Sequence, residues 1–177
     1  MFDQQELQEI EALKKRYEEP KAALLPVLWM IQRKAGYIDE VGMDMAARLC
    51  EVPVSHVRGV VTFYTMYFDE PMGRFHVQVC TNVSCMLMGG EKLYREMKER
   101  LGIGHRERSE DGMFSLEEVE CMGACGGAPM IAINEMFYEK VTSEEADQII
   151  SHVRERNEIP RPKFVQQMPD LSVEANQ

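Results

Sequence analysis

The sequence predicts an α+β fold in which an N-terminal helical bundle is followed by a four-stranded sheet with two helices. Apolar residues recur at helical spacing through about the first 65 positions. Short apolar or alternating stretches, which are typical of strands, begin at Arg74. Amphipathic helical patterns return after the first strand and near the end of the chain. These three observations indicate a small helical part and a separate part built on a sheet.

Helix boundaries in the first part follow from residues typical of helix ends. Asp3 can cap the first helix, with Glu6 three residues later as in a capping box. Pro26 lies either near the first turn of the second helix or at a kink, and Gly36 is a plausible end for that helix. Pro53 suits the opening of the fourth helix. The predicted helices cover residues 3–17, 22–35, about 41–50 and 53–63.

The second part combines strands and helices after a boundary at residues 64–73, where no period is clear. Gly102 can end its first helix, and a polar loop is expected to follow. Thr142 and Glu145 can form a capping box at the start of its last helix. The predicted strands cover residues 74–80, 114–121, 131–133 and 136–138, and the predicted helices cover 89–101 and 142–153. This order suggests a thioredoxin-like arrangement with both helices on a four-stranded sheet.

The first predicted strand alternates in polarity. Phe75, Val77 and Val79 are apolar, whereas His76 and Gln78 between them are polar. Since successive side chains of a strand point to opposite faces, one face of this strand is expected to be buried.

These elements predict three regions. A helical domain covers residues 1–70, a thioredoxin-like domain covers 74–156, and a tail covers 157–177. The tail has three prolines and little apolar pattern. It is expected to be extended or disordered unless a partner orders it.

Composition and charge argue against several classes of function. No apolar run is long enough to span a membrane, and the charged N-terminus lacks the pattern of an export signal. The chain is therefore expected in the cytoplasm, where metal ligation or redox chemistry is favoured over structural disulfides. The formal charge of −10 argues against a nucleic-acid partner.

Four of the five cysteines lie in two close pairs. Cys80 and Cys85 have four residues between them, and Cys121 and Cys125 have three. Four thiolates brought to one place can hold a [2Fe-2S] cluster or a structural zinc ion, or can form two disulfides. The C-x4-C spacing occurs in plant-type ferredoxins. Cysteine pairs that bind structural zinc usually have C-x2-4-C spacing in knuckle-like turns. Spacing therefore favours iron-sulfur over zinc and zinc over disulfides.

Neighbouring residues refine this interpretation. Glycines crowd both cysteine pairs and can let main-chain N–H groups approach sulfur, which favours iron. No histidine lies at a spacing that would make a mixed Cys/His centre, and Cys50 is typical of a buried thiol within a helix. The sequence has no P-loop, no dinucleotide fingerprint and no C-x-x-C pair. The chain is therefore expected to bind no nucleotide or flavin and to need a partner that supplies electrons.

Four stretches closely resemble a known family: PVLWMIQRKAGYI, RGVVTFYTMYF, CTNVSCMLMGG and FSLEEVECMGACGGAPM. The family is that of the 24 kDa iron-sulfur subunits of respiratory NADH:quinone oxidoreductase, complex I. The resemblance extends over residues 23–153. It implies a thioredoxin-like ferredoxin domain behind a helical domain, with Cys80, Cys85, Cys121 and Cys125 ligating one [2Fe-2S] cluster.

The resemblance also implies partners. In that family an adjoining flavoprotein subunit binds NADH and FMN, and single electrons pass between the FMN and the cluster of the 24 kDa subunit. Other subunits of the peripheral arm would be further partners. The complex would hold the chain at the cytoplasmic face of the inner membrane without inserting it. The same module resembles subunits of NAD-linked hydrogenases and formate dehydrogenases, which are alternative hosts.

Two further hypotheses concern the identity of the metal and the geometry of one peptide bond. A zinc-stapled structural adaptor is the rival from another class of function, because zinc uses the same four thiolates. The thioredoxin-like fold also suggests a cis peptide bond between Ala128 and Pro129.

Overall fold

The structure is a computed structural model that describes residues 2–163. The chain divides into two compact units, Met1–Pro71 and Met72–Gln177. Each unit has its own hydrophobic core.

The first unit contains four α-helices joined by short connections. They are α1 (Gln4–Lys14), α2 (Leu24–Ala35), α3 (Glu40–Cys50) and α4 (Val54–Phe63). The predicted capping box is confirmed: the Asp3 carboxylate accepts from the Glu6 N–H at 2.9 Å, and the Glu6 carboxylate accepts from the Asp3 N–H at 2.7 Å. Gly36 ends α2 in the left-handed region, also as predicted.

Two predicted boundaries in this unit were wrong. Helix α1 ends at Lys14 rather than at residue 17, and a 3-10 turn, Pro20–Ala23, precedes α2. Pro26 therefore lies in the first turn of α2, where its missing N–H costs no hydrogen bond.

The core of the first unit is formed by one stripe of each helix. Its fully buried side chains include Ile10, Val27, Leu28, Ile31, Ile38, Ala46, Cys50 and Val57. Burial raises the pKa of the Cys50 thiol to about 11, although the nearby charge of Lys14 lowers it slightly. The prediction that Cys50 is an ordinary buried thiol is confirmed.

The second unit is a mixed sheet with two long helices. Its strands are β1 (Phe75–Cys80), β2 (Glu107–Arg108), β3 (Phe114–Val119), β4 (Ile131–Ile133) and β5 (Met136–Tyr138), in the sheet order β2-β3-β1-β4-β5. Its α-helices are α5 (Val83–Leu87), α6 (Gly90–Leu101) and α7 (Ser143–Arg156). Strands β1 and β3 are parallel, and the other neighbouring pairs are antiparallel.

The mixed α+β class is confirmed, but the sheet has five strands rather than four. The additional strand, β2, is only two residues long and pairs with β3 inside the predicted polar loop. Both of its side chains are charged and exposed, so it has no periodicity that could reveal it. Strand β3 also ends at Val119, two residues before the predicted end.

One face of the sheet packs against both long helices, as predicted. The core there includes Val77, Leu116, Met97 of α6 and Ile150 of α7. The Thr142 side chain accepts from the Glu145 N–H at 3.2 Å in the capping box that begins α7.

The predicted burial of the Phe75, Val77 and Val79 face of β1 is confirmed, and the opposite face is largely closed as well. His76 is 4% exposed. Its two ring nitrogens lie 2.8 Å from the Ser115 hydroxyl and 3.1 Å from the Glu117 carboxylate. Hydrogen bonding therefore allows polar residues to be buried where alternation predicts solvent.

The beginning of the predicted tail packs against the second unit. The Tyr138 hydroxyl donates to the carbonyl of Pro160 at 2.5 Å, and Pro162 is buried. Lys163 forms an ion pair with Glu145. The rest of the predicted tail, residues 164–177, lies outside the described residues. Among the helices of residues 2–163, none has the length and apolar character needed to cross a membrane.

Candidate metal centre

Sheet topology brings both cysteine segments to one edge. Strands β1 and β3 run parallel with Cys80 opposite Val119, so their carboxyl ends meet at the same edge. Cys80 is the last residue of β1, and Cys121 follows the end of β3 by two positions. Strand β4 runs antiparallel to β1 and begins at that edge with Ile131 opposite Val79.

The first cysteine pair is buried. Cys80 is 3% exposed and Cys85 is 2% exposed. Cys85 is the buried residue of helix α5, whose first N–H, that of Val83, donates to the Asn82 side chain at 2.6 Å. This helix is absent from the sequence prediction, although Asn82 is a typical N-cap residue and could have indicated it.

The second cysteine pair is exposed. Cys121 lies in the loop after β3, and Cys125 begins a 3-10 turn, Cys125–Gly127. The Gly123 N–H donates to the Cys121 sulfur at 3.3 Å. Gly123 has a φ of +75°, a conformation that favours glycine, so this loop can aim a main-chain donor at sulfur.

A small apolar cluster lies beneath the thiols. Met130 is 1% exposed and packs with Ala128 and the two buried cysteines. The peptide bond between Ala128 and Pro129 is cis, as the thioredoxin-like arrangement predicts. This cluster covers the first cysteine pair from the protein side.

The Cys85 thiol is affected by its burial and by two neighbouring cysteines. The pKa of the Cys85 thiol is raised to about 11, chiefly by burial and next by a hydrogen bond with Cys80. A hydrogen bond from the main chain of Met130 lowers it, and charges on Cys80 and Cys125 raise it. Without a metal, Cys85 is therefore a neutral thiol at pH 7, and any metal that it ligates must displace its proton.

The candidate ligands are four free thiols in two pairs. All five cysteines are free of disulfides. Within residues 2–163, no group of three or more His, Cys, Asp or Glu side chains has an arrangement that could hold a metal ion. A [2Fe-2S] cluster takes two thiolates on each of its irons, so its ligands need not surround a single point. The buried pair and the exposed pair could each serve one iron.

Comparisons with known proteins show which proteins this chain is similar to. The family model described as thioredoxin-like [2Fe-2S] ferredoxin matches residues 10–154. The E-type subunit of NADH-quinone oxidoreductase from Rickettsia bellii is 38% identical over 156 residues, covering 86% of this chain and 93% of that protein. The protein of the same name from Mycobacterium tuberculosis H37Rv is 37% identical over 139 residues. That match covers 78% of this chain and 55% of the mycobacterial protein.

A solved structure shares the fold. The air-oxidised NAD+-reducing [NiFe]-hydrogenase matches with a TM-score of 0.66 and 19% identity, covering 83% of this chain. The match spans 24% of the hydrogenase chain, and at this identity it shows the fold alone. The family model that matches residues 10–154 and the relatives above lead to one conclusion. The chain belongs to the thioredoxin-like [2Fe-2S] ferredoxin family.

Proposed function

We propose that the chain is an electron-transfer subunit of an NADH:quinone oxidoreductase. One [2Fe-2S] cluster would be ligated by Cys80, Cys85, Cys121 and Cys125. The observation that carries the proposal is the 38% identity, over 86% of the chain, to the NADH-quinone oxidoreductase protein of Rickettsia bellii. The free cysteines at one sheet edge support it, because they supply four thiolates from two neighbouring segments.

The residues of this chain hold and shield the centre. Bound there, a [2Fe-2S] cluster supplies reversible one-electron chemistry. Cys80 and Cys85, which pack with the buried Met130, would hold it together with the exposed Cys121 and Cys125. The Gly123 N–H donates to the sulfur of Cys121. Such hydrogen bonds stabilise negative charge on sulfur and therefore raise the reduction potential.

The proposed partner is a flavoprotein subunit that binds NADH and FMN. Hydride carries two electrons, whereas a [2Fe-2S] centre exchanges one, so a flavin is the chemical link between them. We propose that the complete active site lies in that subunit and that this chain contributes only the cluster. Other peripheral-arm subunits would contact the chain at the cytoplasmic face of the inner membrane.

Two alternatives are weaker. An NAD-linked hydrogenase or formate dehydrogenase could use the same module, but the hydrogenase likeness is at 19% identity, far below that of the NADH-quinone oxidoreductase proteins. A zinc-stapled adaptor would use the same thiolates. Metal and sulfide analysis separates it from the proposed carrier.

Electron exchange with the flavoprotein subunit tests the proposal. The purified chain is mixed anaerobically with that subunit, and NADH is added while the visible and EPR spectra are recorded. We expect reduction of the cluster by NADH only when the flavoprotein is present. Cys125→Ser should lose this signal, whereas Cys50→Ser should keep it. A normally loaded chain that NADH and the flavoprotein fail to reduce would contradict the proposal.

A further inference from the structure

Helix α5, beside the cysteines, presents a run of exposed apolar side chains. Val83, Met86, Leu87 and Met88, the last just after the helix, are 62%, 43%, 75% and 62% exposed. Within residues 2–163, eleven large apolar side chains are exposed, and four of them fall in this six-residue segment. Single exposed apolar residues are common on protein surfaces, but a contiguous group marks a contact surface.

The fold does not require these apolar side chains. Cys85 is the buried residue of α5, so the exposed positions add little to the core. Asn82 caps the helix through its side chain, which stabilises the first turn independently of the apolar residues. The exposed apolar surface is therefore explained better by a partner than by folding.

A cleft joins this surface to Cys125, one of the two exposed cysteines. It has a volume of about 810 Å³. Leu87 and Met88 line one part of it, and Cys125, Ala128 and Pro129 line another. A partner bound over α5 would thus also cover Cys125.

The cleft has a charge opposite to that of the chain. Its charged lining residues are Lys92 and Lys140, and none of the described residues that line it is acidic. The chain as a whole has 30 acidic and 20 basic residues. The Lys92 ammonium lies 3.6 Å from the Glu96 carboxylate on the same helix, but the Lys92 side chain is 69% exposed, so the pair is weak and leaves the lysine able to bind a partner. The cleft therefore suits a partner whose apolar contact is bordered by carboxylates.

We propose that this docking surface, formed by Val83, Leu87, Met88, Lys92 and Lys140, binds the flavoprotein subunit. The inference rests on the proposed function and adds the place and chemistry of the contact. The flavoprotein presents an apolar patch to α5 and carboxylates to the two lysines.

Docking here serves electron exchange directly. Electron transfer slows steeply with distance, and the cleft beside this surface is lined by the exposed Cys125. A partner seated on it brings its redox group toward Cys125 and excludes water from that thiol. The buried pair, Cys80 and Cys85, faces the protein interior and offers no comparable approach.

Matched valines test the apolar part of the contact. Val83 and Val41 are 62% and 61% exposed, and each lies in the first turn of a helix, where a carboxylate is tolerated. The dissociation constant for the purified flavoprotein subunit is measured with the cluster-loaded wild type, Val83→Glu, Leu87→Glu and Val41→Glu. We expect the Val83 and Leu87 variants to raise it about tenfold or more, and Val41→Glu to leave it unchanged.

Matched lysines test the charge. The double variant Lys92→Glu/Lys140→Glu should weaken binding at low salt and show a smaller salt dependence than the wild type. Lys21→Glu is the control, because Lys21 is 63% exposed and pairs with Glu19 at 2.6 Å. It should bind as the wild type does.

Iron and sulfide content, measured on every variant, separates two failures. Loaded Val83 and Leu87 variants that bind like the wild type would overturn the docking surface while leaving the proposed function intact. If Val41→Glu weakened binding to the flavoprotein as much as the Val83 and Leu87 variants do, the docking surface would also be overturned, because the loss of affinity would not be specific to that surface. A wild-type chain without a cluster, or without affinity for the flavoprotein, would overturn the proposed function together with this inference.

Discussion

Gly90 lies against the main chain of Cys80. A Cβ atom built on Gly90 would lie 2.6 Å from the carbonyl oxygen of Cys80 and 2.9 Å from that of Cys85. Real Cβ atoms do not approach main-chain oxygens so closely. The absence of a side chain at Gly90 therefore allows α6 to begin directly beside the buried cysteine pair.

The variant Gly90→Ala should displace this pair. We expect a loss of stability of about 1–3 kcal/mol, as for other overpacked sites, and a lower iron content per chain. Gly126→Ala is the control, since Gly126 neighbours Cys125 and a Cβ there meets nothing within 4 Å. Iron analysis and thermal unfolding give both quantities. Equal iron content in the two variants would show that the contact does not shape the centre.

Gln32 ties helix α2 to the segment after α4. Its amide donates to the Met66 carbonyl at 2.8 Å and accepts from the Phe68 N–H at 2.8 Å, and the side chain is 6% exposed. Gln32→Met keeps the volume but loses both hydrogen bonds, so we expect a cost of about 1–3 kcal/mol. Urea unfolding followed by the fluorescence of Trp29 measures the cost. The exposed control Gln8→Met should change stability by less than about 0.5 kcal/mol.

Two glycines of the first unit should respond in opposite directions to alanine. Neither has an atom within 4 Å of a built Cβ, but Gly36 has a φ of +86° whereas Gly59 lies within α4. Gly59→Ala should therefore stabilise the unit by about 0.5–1 kcal/mol. Gly36→Ala should destabilise it by about 1–2 kcal/mol, because a side chain strains the left-handed conformation. Effects of the same sign would contradict this difference in backbone conformation.

The lowered pKa of Glu117 should make the stability of the fold depend on pH. Burial raises its pKa, but hydrogen bonds with His76 and Gln78, together with the charges of His76 and Arg106, outweigh burial and hold the pKa below 4.5. The ionised carboxylate therefore stabilises the fold above the unfolded pKa. That contribution is lost as the pH falls below 4.5 and through the folded-state pKa.

The matched comparison is the wild type against Glu117→Gln, both metal-free. The free energy of unfolding is measured by circular dichroism at pH values from 7 down to about 3. The advantage of the wild type should be constant near neutrality and should shrink as the solution becomes more acidic. A difference that stays constant through the acid range would contradict the lowered pKa.

Sequence patterns were sufficient where local chemistry decides the structure. The capping residues Asp3 and Thr142 were predicted because a side chain satisfies main-chain donors three residues away. The position of each cysteine pair at or just after a strand was also predicted, but their placement at one edge depends on the parallel pairing of β1 and β3, which the order of elements does not determine.

Features decided by tertiary contacts were missed. Strand β2 exists because β3 supplies its hydrogen-bond partners, and its own two charged residues give no signal. The burial of His76 depends on Ser115 and Glu117, which are about forty residues away in the chain. The exposure of Cys125 and the burial of Cys85 likewise follow from packing that a spacing of cysteines does not encode.

The most direct test of the account is the metal content and spectrum of the anaerobically purified chain. Iron, acid-labile sulfide and zinc are assayed on one sample, and EPR spectra are recorded before and after dithionite. We predict about two irons and two sulfides per chain, with a signal that appears only on reduction. Serine in place of Cys80, Cys85, Cys121 or Cys125 should lose or alter this signal, and Cys50→Ser should not. About one zinc per chain without sulfide, even after reconstitution with iron and sulfide, would contradict the account.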